Sequence, residues 1–405
     1  MSLARVLIAH NTYRNPGGED AVVAAETALL RAHGHEVESL QRDNADVATD
    51  GWMQRALAAR DCVWSASSAR AMRDAIQRFG PDVVHVHNTL AQLSPSIYWA
   101  AAACGVPVVQ TLHNFRLACP QAMFLRAGRI CQDCVGKPPL PAVVHGCYRA
   151  SRAQSLTVAT MLTAHRAIGT WSRKVRRYIA LSRFCRDQFV AAGLPEGRMR
   201  VKPNFVAAGA ADDATDGAAE YRDEIERAPD RNGHFLFVGR LSAEKGIAVL
   251  AQALRGDRSL SCVAVGSGPA APLLEGLPNV ECTGWLDAPA VARHMRRALA
   301  LIVPSVWFEP FGLVAIEAFA QGVPVIASRI GSLPEIVYPG RTGLLFEPGD
   351  AADLARKMRW ALEHPDELRR MGRAARNAYE ERYSAPENYR QLVEIYRDAI
   401  AAGPD

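Results

Sequence analysis

Glu309 and Glu317 stand eight residues apart in the run Glu309-Pro310-Phe311-Gly312-Leu313-Val314-Ala315-Ile316-Glu317. An aromatic-glycine turn and an apolar stretch separate them, which predicts a helix beginning near Phe311. Its first amides and positive dipole end would point at whatever lies beyond Gly312. Glu317 would fall roughly 9 Å further along the axis, at about 1.5 Å rise per residue. That spacing suits a sugar nucleotide: one carboxylate accepts hydrogen bonds from a hexose, the helix end faces the phosphates, and the other carboxylate takes the ribose diol. The plain alternative is an amphipathic helix with one capping and one surface glutamate.

Breaking a sugar–diphosphate bond leaves growing negative charge on the departing nucleotide. No Asp-x-Asp stands at a strand end to hold Mg²⁺, so side chains and backbone dipoles must meet that charge. Arg240 follows a strand and Lys245 precedes Gly246 at a helix start. Arginine grips phosphate oxygens bidentately, and lysine serves as a movable point charge. Gly17 and Gly18 would let backbone amides approach a distal phosphate. His113 ends a buried strand, where a lone histidine is commonly structural. His10, Asn11, His87 and Asn88 end other strands, and with Glu19 and Asp20 they form a rim that suits an acceptor molecule; ordinary loop solvation is the alternative for the two acids.

A second cluster has the spacing C-x11-C-x2-C-x12-C: Cys119, Cys131, Cys134 and Cys147. A Cys-x2-Cys knuckle with two outlying cysteines can build a tetrahedral thiolate site for structural zinc, with His145 able to replace one sulfur. The surrounding segment, Arg116 to Tyr148, is rich in Pro, Gly and Arg and struggles to bury a core, so it would gain from a metal cross-link. Free thiols or a redox pair are the alternatives. The other five cysteines (62, 104, 185, 262, 282) read as core filler.

These residues need strands and helices to hold them. Val6–Ala9, Glu36–Leu40, Asp82–His87, Pro107–Leu112 and Tyr178–Leu181 read as strands, with helices at about 21–32, 94–103 and 185–192. The rhythm restarts after a polar stretch at about 207–232, a candidate linker, with strands at Phe235–Gly239, Cys262–Gly266, Val280–Thr283, Ala300–Pro304 and Val323–Ala327. Alternating strands and helices predict parallel βαβ units, hence an α/β fold of two Rossmann-like domains. In such sheets ligands bind beyond the carboxyl ends of the strands.

The chain has 405 residues, 49% apolar and 22% charged, with a net charge of +5. This is ordinary for a globular enzyme of two domains, and the mild charge gives no argument for nucleic acid. From Arg149 to Lys202, however, twelve Lys/Arg stand against two acids, a segment that favours an anionic membrane surface or a phosphorylated acceptor as much as a solvated helix face. No apolar run reaches the ~18–20 residues of a membrane-spanning helix, and Met1-Ser2-Leu3-Ala4-Arg5 runs into a strand without a signal-peptide pattern. A cytoplasmic protein, at most resting on the inner face of a membrane, is expected.

Taken in order, Gly17-Gly18-Glu19, Thr111-Leu112-His113-Asn114, Pro203-Asn204-Phe205, Val238-Gly239-Arg240-Leu241-Ser242-Ala243-Glu244-Lys245-Gly246, Val265-Gly266-Ser267-Gly268-Pro269 and the Glu309–Glu317 run resemble a family 4 retaining glycosyltransferase of the GT-B fold, over essentially the full length. The resemblance implies two Rossmann-like domains facing across a cleft. An acceptor-side domain would span 1–206 (with the Cys-rich insert at 116–148), a nucleotide-sugar domain 207–384, and a crossover helix at 385–405 would pack back on the first. It implies that His113, Arg240, Lys245 and Glu309 serve catalysis, with His113 beside the reacting carbon. Glu309 would bind the donor hexose, Glu317 the ribose, and Phe311-Gly312-Leu313 would offer amides to sugar and phosphate. Gly266, Gly268 and Trp285 would surround the nucleobase. The resemblance further implies front-side attack, in which the departing phosphate oxygen takes the acceptor's proton without a catalytic metal. The Cys-rich insert departs from the minimal pattern and resembles one found in some bacterial members. A glycan or lipid-linked acceptor, in bacterial surface polysaccharide or glycoconjugate synthesis, is the expected partner. A decayed sugar-nucleotide-binding protein and an epimerase or hydrolase on the same scaffold are the alternatives. A dinucleotide-dependent dehydrogenase is disfavoured, because no Gly-x-Gly-x-x-Gly follows the first strand.

Overall fold

The computed structural model describes residues 4–12, 17–43, 51–206 and 233–403. The linker expected at 207–232 lies outside the described residues. The chain forms two compact units. One comprises Met1–Phe124, Cys131–Pro203 and Tyr389–Asp405, and the other Leu125–Ile130 and Asn204–Asn388.

In the first unit the elements run β1 (Val6–Thr12), α1 (Gly18–Ala32), β2 (Val37–Asp43), α2 (Trp52–Val63), α3 (Ala66–Phe79), β3 (Val83–Asn88), α4 (Ser96–Ala103) and β4 (Val108–Leu112). The short hairpin β5 (Leu125–Arg126) and β6 (Arg129–Ile130) follows in the chain but belongs to the second unit, after which the first resumes. Then come α5 (Leu140–Val144), α6 (Arg152–Ala167), α7 (Thr170–Arg173), β7 (Arg177–Ala180), α8 (Arg183–Ala191) and β8 (Met199–Val201). The sheet order is β2-β1-β3-β4-β7-β8, parallel throughout. Val6, Ile8, Val83, Val84, Val86 and Val109 are fully buried, because helices cover both faces of a parallel sheet. The order reverses between β1 and β3, the place where such sheets open a crevice at their carboxyl ends. His10 and Asn11 end β1 there, and His87 and Asn88 end β3. A register shift between Ala9 and His10 pairs His10 with Asn88.

The second unit repeats the plan: β9 (His234–Val238), α9 (Ile247–Gly256), β10 (Ser261–Val265), β11 (Val280–Gly284), α10 (Ala288–Arg297), β12 (Leu301–Val303), α11 (Leu313–Ala320), β13 (Val325–Ser328), α12 (Leu333–Ile336), β14 (Gly343–Phe346), α13 (Ala351–Glu363) and α14 (Pro365–Arg382). Its sheet order is β11-β10-β9-β12-β13-β14, again parallel. The reversal falls between β9 and β12, so the loop carrying Arg240 and Lys245 and the loop carrying Glu309 meet there.

The last helix, α15 (Ala385–Ala401), belongs from Tyr389 onward to the first unit. Its Leu392, Ile395, Tyr396 and Ala399 join Val6, Ile8, Val23, Leu30, Val83, Val109 and Ile179 in one core cluster.

The expected strands differ at their edges by one to three residues, the largest differences being the longer carboxyl ends of β1 and β2. Helix starts differ for definite reasons. The helix expected from about 21 begins at Gly18, where Asp20 in its first turn accepts the Gly17 amide at 2.9 Å. The helix expected near Phe311 begins at Leu313, after Gly312 caps it in the left-handed region with φ 90°. Helices α2 and α3 fill a stretch to which the sequence pattern assigned no element.

Candidate active site

In the second unit the loop after β9 tightens into a 3₁₀ turn, Ala243–Lys245, closed by Gly246. Only glycine fits at 246: φ is +75°, and an added Cβ would stand 1.7 Å from the Pro304 carbonyl oxygen. This close approach presses the Lys245 turn against the end of β12. Lys245 Nζ donates to both oxygens of Glu309 at 3.0 Å. Glu309 Oε2 also accepts from Ser305 Oγ at 3.0 Å and Trp307 Nε1 at 2.9 Å. The carboxylate is buried, which its donors compensate. Arg240 extends into solvent, its Nη2 2.6 Å from Glu244 Oε1. Burial works against ionisation of Glu244, but hydrogen bonds from Ser242 and the backbone and the charge of Arg240 hold its carboxyl below the usual range.

Helix α11 then supplies the other carboxylate. Among the described residues the amides of Leu313 and Val314 have no protein acceptor, as the start of a helix leaves them. Glu317 lies in the second turn, half-buried and without a hydrogen-bond partner among the described residues. Burial alone pushes its carboxyl up to about 7. Phe311 is buried in edge-on contact with Tyr383, ring centroids 6.0 Å apart, so its side chain packs and only its backbone is left for a ligand. Gly266 and Gly268 lie against the Gly239 and Leu241 carbonyls, where a Cβ would come within 2.0 and 2.3 Å. They let the loops after β9 and β10 touch, and the Gly266 amide binds Gly284 O at 2.8 Å. Beside them Trp285 is 76% exposed, offering an open aromatic face.

In the first unit His113 follows β4 and is half-buried. Its Nε2 lies 2.9 Å from His87 Nδ1, and burial pushes the imidazole down to about 3. His87 is lowered well below its ordinary value by the same cause. His10 Nε2 meets Asp20 Oδ1 at 2.9 Å, and burial still lowers its pKa against that carboxylate. Glu19 Oε2 accepts from Asn114 Nδ2 at 3.3 Å. Asn11 Oδ1 takes the Leu93 amide at 3.2 Å and Asn88 Oδ1 the Leu90 amide at 3.0 Å, so both pin the loop after β3. The Gly17 amide is engaged by Asp20. Beneath lies a buried pair that the sequence reading missed: Lys202 Nζ and Glu26 Oε1, 2.7 Å apart with both side chains 1% exposed. Burial opposes ionisation of Glu26 and the Lys202 charge overcomes it, leaving its pKa lowered.

None of the insert cysteines forms a disulfide. Burial raises the Cys134 thiol to about 11, with the Ala142 amide donating to its sulfur and Cys119, Cys131 and Cys147 near enough to add repulsion. Among the described residues the trio with ligand atoms within 4.8 Å of one another is Glu26, His85 and His87. Among the described residues no three of the insert sulfurs lie within 4.8 Å of one another.

Two doubly wound parallel sheets, each gathering polar side chains at the order reversal, define a GT-B chain. Residues 16–208 match the family model described as Glycosyltransferase Family 4, and residues 220–378 that described as Glycosyl transferases group 1. The chain belongs to the group 1, family 4 glycosyltransferases. It is 26% identical over 414 residues to phosphatidyl-myo-inositol mannosyltransferase of Mycobacterium leprae, covering 96% of this chain and 95% of that protein. A segment is 38% identical over 152 residues to glycogen synthase of Mycobacterium tuberculosis, 35% of this chain but only 36% of that enzyme's length. The crystal structure of Anabaena Alr3699/HepE in complex with UDP superposes with a TM-score of 0.65 at 19% identity, covering 96% of this chain and 98% of that one; HepE has also been solved with UDP-glucose.

Lys245 and Glu309 were each legible from their motifs. Glu244 was given no role, although its position four residues after Arg240 is a signal that could have found it. Ser305 and Trp307 carry no such signal, and neither do Glu26 and Lys202.

Proposed function

We propose that the chain is a retaining, metal-independent hexosyltransferase that moves a sugar from a nucleoside-diphosphate donor to a glycan or lipid-linked acceptor. The observation that carries this reading is the buried Glu309 carboxylate held by Lys245, Ser305 and Trp307, at the order reversal of the second sheet, where Arg240 stands on the loop after β9. A donor pyrophosphate entering there meets the Lys245 ammonium, the Arg240 guanidinium and the open amides of α11. Glu309 accepts from hexose hydroxyls and Glu317 from the ribose diol, while Trp285 stacks on the base. As the anomeric carbon–oxygen bond breaks, the diphosphate keeps the electron pair and these cations stabilise it. The acceptor hydroxyl bonds to the anomeric carbon on the same face, and its proton passes to the departing phosphate oxygen. In the first unit His113 contacts a substrate hydroxyl.

UDP-sugars come first among donors to screen, since HepE is bound to UDP and UDP-glucose in its structures. We extend the proposal to bacterial surface glycoconjugate synthesis at the inner membrane face, with the basic segment 149–202 as the attachment. Among the described residues no helix is long and apolar enough to cross a membrane.

The test is transfer from a panel of nucleotide sugars to glycan and lipid extracts, with EDTA present. Arg240→Ala and Lys245→Ala should each lower kcat by about 100-fold or more with circular dichroism unchanged. Wild-type rates in both variants, or activity restored only by Mg²⁺ or Mn²⁺, overturn the proposal. Donor binding without transfer to any extract favours the decayed binding protein.

A further inference from the structure

The reaction above gives no part to the buried groups behind His113. His85 and His87 on β3, Glu26 on α1 and Lys202 after β8 are all buried. Glu26 Oε1 holds the Lys202 ammonium at 2.7 Å. Its other oxygen, Oε2, has no hydrogen-bond partner; neither has His87 Nε2, and the two lie 3.9 Å apart. Across the same ring, His87 Nδ1 is 2.9 Å from His113 Nε2. A metal ion suits Glu26, His85 and His87 poorly despite their spacing. Both His85 nitrogens are taken, by Tyr396 at 2.7 Å and Thr111 at 2.8 Å, and the Glu26 charge is already balanced by Lys202.

One proton lies between His87 Nδ1 and His113 Nε2, and neutral imidazoles can place it on either nitrogen. On His87 Nδ1, it would leave the Nε2 lone pair turned toward Glu26 Oε2, two acceptors opposed away from water. On His113 Nε2, it leaves His87 carrying its own proton at Nε2, aimed at the carboxylate.

We propose that Glu26, acting through His87, holds His113 as the Nε2–H tautomer, so that His113 Nδ1 presents a lone pair to a substrate hydroxyl. Among the described residues His113 Nδ1 has no protein partner, which leaves it to the ligand. His113 therefore recognises a group that donates, a sugar hydroxyl, and gives nothing to a phosphate or carboxylate oxygen. Glu26 and His87 are positioning residues. Burial keeps both rings neutral; on His113 it outweighs the Glu26 charge, which favours a second proton, and His85, His10 and Lys202 oppose one.

The proposal rests on the reading of His113 as a substrate contact, yet the tautomer is measurable without substrate. In long-range ¹H–¹⁵N spectra of protein labelled at histidine, the His113 signals are those missing from His113→Ala. Nδ1 is expected in the unprotonated region and Nε2 in the protonated region; the reverse overturns the proposal. His87→Phe removes the acceptor for the His113 proton and should let the tautomers mix and lower kcat/KM about tenfold. His87→Asn, whose carboxamide oxygen replaces Nδ1, should recover most of that loss together with the single tautomer. An unchanged His113 tautomer in His87→Phe also overturns it. If His113→Ala transfers sugar at the wild-type rate, the proposed use of His113 fails, and the spectra still decide the tautomer.

Discussion

Glu317 shows how one residue ties ligand binding to pH. Its carboxyl, raised by burial from 4.5 to about 7, binds a proton more readily folded than unfolded. The folded state therefore holds an advantage below pH 4.5 that is lost as pH rises through 7. Above that, an ionised, partnerless Glu317 costs up to roughly 3 kcal/mol, an upper bound because the side chain is part-exposed. Glu317→Gln should accordingly raise Tm at pH 8 and leave it unchanged near pH 4, which thermal melts across that range would check. Ribose hydroxyls donating to the carboxylate would offset the cost, so nucleotide affinity should rise from pH 6 to 8 with proton release, read by calorimetry in buffers of different ionisation enthalpy. An aliphatic-flanked glutamate is visible in the sequence; its half-burial without a partner among the described residues is not.

At the scale of elements, the turn after β9 depends on Gly246. A methyl group at 1.7 Å from the Pro304 carbonyl cannot be absorbed by backbone on both sides, and the left-handed φ adds strain. Gly246→Ala should cost roughly 3 kcal/mol or more and, in whatever fraction folds, separate Lys245 from Glu309; Tm and donor affinity measure the two effects. The insert makes a different kind of prediction. Its strands and α-helix are a hairpin of two two-residue strands and a five-residue helix, little regular structure to hold the segment in place. We expect protein purified without chelator to carry about one zinc per chain, with the four sulfurs drawn inward around it. Metal analysis near zero would remove zinc from the account. Cys-x2-Cys spacing was readable from the chain, as was each strand that presents the site. What could not be read is contact across long separation. Lys245 meets Glu309 over 64 residues and Lys202 meets Glu26 over 176. Neither partner's local pattern announces the other. The α1 start was misjudged for a related reason: apolar periodicity begins at Ala21, but Asp20 already caps the turn.

For the whole molecule, the count of twelve cations from 149 to 202 overstates the charge available to a membrane. Lys202 is buried on Glu26, and Arg177 and Arg200 share Asp398 at 2.8 Å. Asp398 and Tyr396 both come from α15, which the first unit needs in its core. Deleting 389–405 would expose Val6, Ile8 and Val83 and leave His85 without Tyr396. We expect the truncated chain to aggregate or to lose the first unit's amide protection in hydrogen exchange while the second unit keeps its own. Equal protection in both units would show α15 to be dispensable.

That dependence sets a schedule for synthesis. The first unit's sheet is complete by Pro203, but its share of the final helix, from Tyr389, comes only after 185 further residues (204 through 388) have been made. At ~5–20 residues per second, the ribosome releases the missing piece roughly 10–40 seconds later. Throughout that interval the nascent chain carries an unsealed apolar groove, a natural claim on chaperones that the second half of the protein, contiguous from 204 to 388 save for one hairpin, does not make.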